Sequence, residues 1–434
     1  MASRIPYPQL SGNSTEVGPV LSTLAMTVSI SFFRLLSLLG YARLTISVPS
    51  GHTKAGVAFN TLQTWYNTSS GIYDTTGWWN SANCLTAVGD LAAIDATVLP
   101  EAQEIFLNTA VQALRLGYAM LTSIATYNLQ MHKVVTADYS IISYYGPSFP
   151  PGFPIPPILN PKGFLNGYYD DEGWWALAWI QAFDVTQDPL FLQTSINIFN
   201  DMKNGSNTPC GGIWWDKNQT YVNAIANELY LSVGAHLANR VLLNKNFYLE
   251  NAKSQWAWFQ KSEMINSKNL INDGLQDCRN NNGTVWSYNQ GVILGGLTEL
   301  FYATGDQSYL TTATSIANAA ITALQDVNKV LHDPCEPKCG ADGSQFKGVF
   351  MRNLQILQKA APSQTFVDFA AANAASIWAY DRNASDGVLS EVWSGPFVKP
   401  GNASTQSSAL DALIADQAFG DSSAEVIASR ERGL

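Results

Sequence analysis

The sequence predicts an all-α fold, an (α/α)6 barrel of six helical hairpins, and three observations carry that expectation. The run from Trp174 to Phe183 is apolar nearly all round and is followed by a turn, TQDP, and then by LFLQTSINIFNDM, where Phe191, Ser195, Ile198 and Met202 fall near helical spacing. The first pattern belongs to a helix buried on all sides, the second to an outer helix with one face in water. The same succession recurs from residue 291 as GVILGGLTELFYA, TGDQSY and LTTATSIANAAITAL. The turns match as T-x-D-x-x-F-L at Thr186–Leu192 and T-x-D-x-x-Y-L at Thr304–Leu310, 118 residues apart. A looser copy, NKNFYLENAKSQWAWF from Asn244, lies near the midpoint, so the unit is about 59 residues long and about six units fit between residue 52 and the end. No strand-rich region of any size is present. An open solenoid is the alternative.

Taken in chain order, residues 1–51 are expected to be a poorly ordered segment ahead of the folded protein. Residues 17–33 (VGPVLSTLAMTVSISFF) are uncharged, and Arg34 and Arg43 interrupt the apolar pattern beyond them. A spanning helix needs about 20 apolar residues and a signal-peptide core roughly 7–15. The stretch from Met26 therefore reads as a secretion signal without its positive n-region, with a signal anchor as the alternative. The barrel domain is expected over 52–400, with a C-terminal helix or tail over 401–434 closing or flanking it. The terminal SSAEVIASRERGL is charged and lacks the apolar tail of a lipid anchor. The Pro-rich GPSFPPGFPIPPILNPKGF (146–164) reads as a stiff loop that walls a cleft, or as a linker.

A net charge of −10 excludes nucleic acid as a partner, because phosphate binding needs a basic face. Charged residues make up only 13%, against 13 Trp, 18 Tyr and 19 Phe, a balance that suits a neutral, ring-shaped ligand as well as a large core. Sequons at Asn13, Asn67, Asn204, Asn218, Asn282, Asn383 and Asn402 predict a secreted glycoprotein. The five cysteines (Cys84, Cys210, Cys278, Cys335, Cys339) allow at most two disulfides and leave one thiol, with fifteen ways to form two bridges. Cys335 and Cys339, near His332, match no zinc spacing, and a disulfide staple is expected there. His52, His132, His236 and His332 form no cluster, and no phosphate loop or nucleophilic Ser motif is present. No metal and no cofactor are expected.

A glycine followed within a few residues by tryptophan recurs at Gly77-Trp78-Trp79, Gly173-Trp174-Trp175, Gly211-Gly212-Ile213-Trp214-Trp215 and Gly283-Thr284-Val285-Trp286. Each is expected to announce an inner helix. Inner helices of such a barrel run parallel, so these segments meet at one rim as an aromatic-lined cleft, with Trp79, Tyr169, Trp174 and Trp215 as candidate ligand contacts. Packing is the alternative. Asp170 and Asp171, in NGYYDDEGWWALAWI, belong to that ring. Two adjacent carboxylates cap a helix N-terminus, or they form an acid/nucleophile pair. On a loop entering a helix both can face one space roughly 5–6 Å apart, the order that retaining glycosidases require. One must be ionised to attack and the other protonated to donate. Mutual repulsion and desolvation by Tyr168, Tyr169 and Trp174 push the two states apart. On the residues alone both readings stand.

YYDDEGWWALAWI resembles the signature of glycoside hydrolase family 76, the endo-α-1,6-mannanases, which include fungal cell-wall proteins of the Dfg5/Dcw1 type. TWYNTSSGIYDTTGWWNSANCLTAVGDL (64–91), NNNGTVWSYNQGVILGGLTEL (280–300) and DGSQFKGVFMRNL (342–354) resemble further blocks of that family, in order over roughly residues 55–395. The resemblance implies an (α/α)6 barrel acting with retention, with Asp170 as nucleophile and Asp171 as acid/base. It implies sugar contacts from Asp273, Trp286, Tyr288, Asn289, Gln290, Asp342, Lys347 and Arg352, although Asn289 and Gln290 equally suit a helix cap. The expected substrate is α-1,6-mannan or a mannoprotein glycan, cut by a monomer that is secreted or cell-wall associated, in degradation or remodelling of the wall. Membrane contact is expected only if the N-terminal segment is retained.

Three other readings stand beside this one. Transfer of the glycan to a sugar acceptor, as a mannan or GPI-glycan transglycosylase, uses the same covalent intermediate. A non-catalytic mannan-binding protein fits poorly with two intact aspartates. A terpene cyclase needs a second metal motif, and Asn272-Asp273 with GLQDCRN lacks its Ser and Glu.

Overall fold

In the computed structural model the described residues are 53–119, 131–135, 141–145 and 163–431, with side chains described over 53–113 and 163–420. The expectations for residues 1–51, for Asn13 and for most of the Pro-rich stretch lie outside them. No helix among the described residues is long and apolar enough to cross a membrane.

The repeated T-x-D turn shows how local chemistry sets the pattern. The first inner helix of the repeat stops at Gln187, in the left-handed region at φ 61°, and Asp188 then accepts from Leu190 N–H at 2.9 Å with Pro189 opening the next helix. In the second copy Gly305 takes the left-handed position at φ 77° and Asp306 accepts from Ser308 N–H at 2.9 Å. A left-handed stop followed at once by an Asp cap reverses the chain in a few residues.

Among the described residues twelve long helices result: α1 (Lys54–Gln63), α2 (Trp78–Ile94), α3 (Leu99–Ala119), α4 (Tyr169–Thr186), α5 (Pro189–Met202), α6 (Ala224–Arg240), α7 (Lys245–Lys261), α8 (Ser287–Thr304), α9 (Gln307–Ala323), α10 (Phe346–Ala360), α11 (Gln364–Ser376) and α12 (Ala403–Glu431). The strands among the described residues pair as three antiparallel hairpins: β1–β2 (Tyr66–Asn67 with Ile72–Tyr73), β3–β4 (Met131–Val135 with Ile141–Tyr145) and β5–β6 (Leu275–Gln276 with Arg279–Asn280).

Helices α2, α4, α6, α8, α10 and α12 pack each on the next, and α12 returns onto α2, closing an inner ring. Every residue of α6 from Ala224 to Ala238 is buried, whereas α9 buries only Leu310, Ala313, Ile316, Ala317, Ala320 and Ile321, a single stripe. The fold is the (α/α)6 barrel. The segment from residue 401, expected as a helix or tail closing or flanking the barrel, supplies the sixth inner helix. Its outer partners are α11 and α1, so one layer of the ring joins the two ends of the folded chain. Glycine lets the inner helices approach. A Cβ on Gly291 would lie 2.6 Å from Phe350 Cα, and one on Gly348 would lie 2.5 Å from Ser408 Cα, distances no side chain tolerates. Inner and outer layers are joined by aromatic contact, as where Trp179 of α4 stacks on Phe191 of α5 at 5.2 Å.

Cys335 and Cys339 form the expected staple, and Cys210 pairs with Cys278. Cys84 is the remaining thiol. Burial pushes it up to about 12, so it is an inert core residue.

Candidate active site

Asp170 and Asp171 lie inside the first turn of α4, not on the loop ahead of it, with Tyr168 in extended conformation as the N-cap. That helix start is pinned by a second strap of chain, Trp214–Lys217. Tyr169 N–H donates to Trp215 C=O at 2.8 Å, and Lys217 N–H donates to Gly167 C=O at 2.9 Å. The strap is in turn held by Asn227 of α6, whose side chain bonds both the N–H and the C=O of Ile213, at 2.7 and 3.0 Å.

Each aspartate has its own donor. Trp215 Nε1 donates to Asp170 Oδ2 at 2.9 Å, and Asp171 N–H donates to Asp170 Oδ1 at 3.1 Å. The amide of Asn166 donates to Asp171 Oδ2. Burial raises both carboxyls above the ordinary range. Asp170 is raised further by the charge of Asp171, and Asp171 by that of Asp342. Two acids this close release their protons as a coupled pair, so a state with one proton between them is favoured over a wide pH range.

Around the pair stands an aromatic wall drawn from four inner helices. Trp79 stacks on Trp174 at 5.7 Å, Trp174 on Tyr288 at 6.4 Å, and Tyr288 on Phe346 at 3.7 Å, while Trp286 meets Phe346 edge-on at 5.6 Å. These side chains sit at or near the N-terminal ends of α2, α4, α8 and α10, which is why those ends form one cleft. Asp342 and Asp273 reach the same space. Trp79 Nε1 donates to Asp342 Oδ1 at 3.3 Å, and Tyr221 OH donates to Asp273 Oδ2 at 2.8 Å. Burial and the charges of Asp273, Asp170, Glu228 and Asp342 raise the Tyr288 phenol well above its usual value.

Residues 158–426, more than half of the chain, match the model of glycosyl hydrolase family 76. The chain belongs to that family. Among curated relatives, the mannan endo-1,6-alpha-mannosidase DFG5 of Candida albicans is 28% identical over 214 residues, covering 44% of this chain and 47% of the relative. DFG5 of Saccharomyces cerevisiae is 25% identical over 214 residues, covering 44% and 46%. The chain thus spans about half the length of the curated relatives it matches. The fold is shared with an α-1,6-mannanase of Salegentibacter sp., solved as an inactive variant with two consecutive aspartates replaced and in complex with α-1,6-mannotetrose. The TM-score is 0.66 at 19% identity, over 86% of this chain and 99% of that one. Dfg5 of Chaetomium thermophilum, in complex with glucosamine, gives a TM-score of 0.66 at 17% identity, over 84% and 89%.

Within this family-76 barrel the expected contacts divide. Trp215, Tyr288 and Asp342 interact with the aspartate pair, Trp79 and Trp174 pack beside them, Asp273 acts on Tyr288, and Trp286 meets Phe346 at the edge of the same wall. Tyr169 does not join them: its ring packs on Gly205 and under the Lys217 ammonium, 5.4 Å away, because neighbouring positions of a helix diverge by about 100°. Gln290 is fully buried and occupied by backbone, accepting from Ile271 N–H at 2.8 Å and donating to Ile271 C=O at 2.9 Å. Lys347 lies between Glu336, at 2.7 Å, and the C=O of Glu391, at 2.6 Å, over the ring of Trp393. Arg352 bonds Asp411 and Asn83 inside the ring of helices. These three side chains are structural, since a buried cation or amide is stable only when fully paired. Asn289 is also fully buried, and its amide makes no hydrogen bond to the protein.

The glycine–tryptophan segments divide as well. Gly77 and Trp286 are helix N-caps, but Gly173-Trp174-Trp175 lies within α4 and Trp214-Trp215 on the strap. Trp78 and Trp175 turn into the core against each other, at 4.8 Å, and against Phe164. Among the sequons, Asn204, Asn218 and Asn282 are exposed, whereas the amides of Asn67 and Asn383 donate to Asp74 and Asp386 and Asn402 accepts from Thr405 N–H at the start of α12. No group of side chains suited to hold a metal occurs among the described residues. Asn272 is tied to Gly283 C=O and to Asn266, which removes it from any diphosphate–metal motif. Sequence reasoning missed Asn166, Glu172, Lys217 and Phe346. Asn166 and Glu172 flank the Asp pair in NGYYDDE, and that proximity was the available signal.

Proposed function

We propose that the chain is a retaining endo-glycosidase that cleaves α-1,6-mannosidic bonds in mannan or mannoprotein glycan. The observation that carries this reading is two adjacent carboxyls in the first turn of an inner helix, each with its own donor, beside a run of stacked aromatic rings. The names of the curated relatives support the substrate, and the two replaced aspartates of the inactive Salegentibacter mannanase support the role of the pair.

In the first step Asp170 attacks the anomeric carbon while Asp171 gives its proton to the glycosidic oxygen, so the C–O bond breaks as the ester forms. In the second step water gives a proton to Asp171 and attacks the same carbon, releasing Asp170 and restoring the α configuration. The flat faces of Trp79, Trp174 and Tyr288 suit the apolar faces of sugar rings, and the carboxylates of Asp273 and Asp342 accept from sugar hydroxyls. Two disulfides and exposed sequons support a secreted or cell-wall-associated protein.

The test is incubation with linear α-1,6-mannan and separation of products by size, beside Asp170→Asn and Asp171→Asn. Short oligosaccharides from the parent alone support the reading. Products longer than the starting oligomers reassign the same intermediate to transfer, and a parent inert on mannan sinks the substrate assignment.

A further inference from the structure

Three consecutive acids, Asp170, Asp171 and Glu172, open α4, and the third is the most enclosed. Glu172 is fully buried, a costly place for a charge without compensation. Its Oε1 accepts from Lys217 Nζ at 2.6 Å and from the backbone N–H of Asn166 at 3.1 Å, and Lys217 also reaches Asp201 at 2.6 Å. Glu172 thus ties the chain at Asn166 to the Trp214–Lys217 strap on either side of the Asp pair. Asn166 is further fixed because its Oδ1 accepts from Tyr168 N–H at 2.8 Å. A backbone N–H can only donate, so that bond orients the amide and turns its NH2 toward Asp171.

The result is an asymmetry between two chemically identical side chains. Both oxygens of Asp170 receive a donor, from Trp215 and from Asp171 N–H. For Asp171 the donor is the Asn166 amide, on Oδ2. We propose that Asn166, anchored by Glu172 and Lys217, and Trp215 on the paired strap are positioning residues that assign opposite roles to the two aspartates. Trp215 holds Asp170 as the anion. Asn166 takes one oxygen of Asp171, so the transferable proton resides on the other, Oδ1. This rests on the reading of the pair as nucleophile and acid/base.

The other charged groups around the pair act through their charge and not through a donated hydrogen bond. Glu172 lies on its own helix and is neutralised by Lys217, with Asp201 behind it. Asp342 comes from the turn before α10, Asp273 from the segment before β5, Glu228 from α6, and the Tyr288 phenol from α8. Apart from Lys217 all are acids; the charge of Asp342 raises Asp171 and that of Asp171 raises Asp170, while burial raises both.

The experiment has two arms. In the first, kcat/KM on linear α-1,6-mannan oligosaccharides is measured against pH for the parent, Trp215→Phe, Asn166→Ala and Glu172→Gln. Loss of the Trp215 donor is expected to move the acid limb up by about one pH unit and leave the basic limb in place. Loss of the Asn166 amide is expected to move the basic limb up by about one unit, and Glu172→Gln to reproduce part of that shift. Both variants moving the same limb, or neither moving one in an active parent, overturns the proposal.

The second arm titrates the free protein by carboxyl-carbon NMR with labelled aspartate, assigned through Asp170→Asn and Asp171→Asn. A step for Asp171 that rises in Asn166→Ala, and one for Asp170 that rises in Trp215→Phe, supports the assignment without any turnover. Unmoved steps overturn it. Should the parent be inert on mannan, this arm still decides the straps while the substrate reading fails alone.

Discussion

Arg352 on α10 donates from Nη2 to Asp411 on α12 at 2.8 Å, and from Nε to the same oxygen at 3.2 Å, while its Nη1 reaches Asn83 on α2 at 2.8 Å. One guanidinium therefore binds the last inner helix to the first, at the seam where the ring closes. The planar fork makes this possible, and an ammonium cannot reproduce it. Arg352→Met strands Asp411 in the core and is expected to lower the unfolding free energy by about 3–5 kcal/mol, with Arg352→Lys in between. Urea denaturation measures the loss. The KM of the folded variant for mannan oligosaccharides is expected to stay at the parent value. A raised KM with unchanged stability would return Arg352 to the substrate contacts that the sequence suggested.

The pH profile follows from the pair. Burial raises both aspartates, so both limbs of kcat/KM are displaced upward from the ordinary carboxylate value of about 3.9. Activity is lost on the acid side as the nucleophile takes up a proton, and on the alkaline side as the acid loses its own. A bell centred well above pH 4 is expected. A plateau that persists down to about pH 3 would contradict the coupling of the two groups.

Trp79 carries its indole across Trp174 and fixes Asp342 through Nε1. Trp79→Ala is expected to raise KM about tenfold with kcat nearly unchanged, the signature of lost ground-state binding. Steady-state kinetics on oligosaccharides of increasing length checks it, and an equal loss in kcat would instead place Trp79 at the reacting bond.

The Cys210–Cys278 bridge spans 68 residues and ties the chain just ahead of the Trp214–Lys217 strap to the β5–β6 turn that follows Asp273. Chain entropy assigns such a loop about 4 kcal/mol, whereas Cys335–Cys339, only 4 residues apart, closes a loop the chain samples readily. Paired Cys→Ser variants at each bridge, compared by denaturation, are expected to show a large loss for the first and a small one for the second. Equal losses would refute the loop argument.

Asp333 and Asp381 are fully buried, and burial pushes each up to about 6 against the hydrogen bonds of Ser287 and Ser390. With unfolded values near 3.9, the folded state holds more protons between the two values. Their contribution is therefore complete below about pH 4 and is lost as pH rises through about 6. The urea midpoint is expected to fall between about pH 4.5 and pH 7.5, and to fall less in Asp333→Asn. A midpoint that rises over that interval would show that other groups dominate.

The helical period made the alternation of inner and outer helices legible, because a helix buried all round and a helix buried on one stripe differ in sequence. The T-x-D turn was legible for the same reason: a left-handed stop and an Asp cap are local chemistry. The place of the last helix was not. Ala403 onward packs on α2, more than 300 positions earlier in the chain, and nothing in its own residues names that partner.

At the site, residue types alone brought Asp170, Asp171 and the cleft tryptophans together, since inner helices that run parallel must present their N-terminal ends on one face. Sequence could not separate Arg352 and Lys347, which stand in a block resembling the family's, from groups that touch sugar. A buried ion pair and an exposed binding group use the same residues, and only the position of Asp411, Asn83 and Glu336 around them decides. The sequence by itself determined which elements form and which chemistry is available. Tertiary structure decided which oxygen of which aspartate meets a donor, because that depends on the straps from residues 166 and 215 lying side by side, a contact whose free energy is distributed over packing and hydrogen bonds across the whole ring.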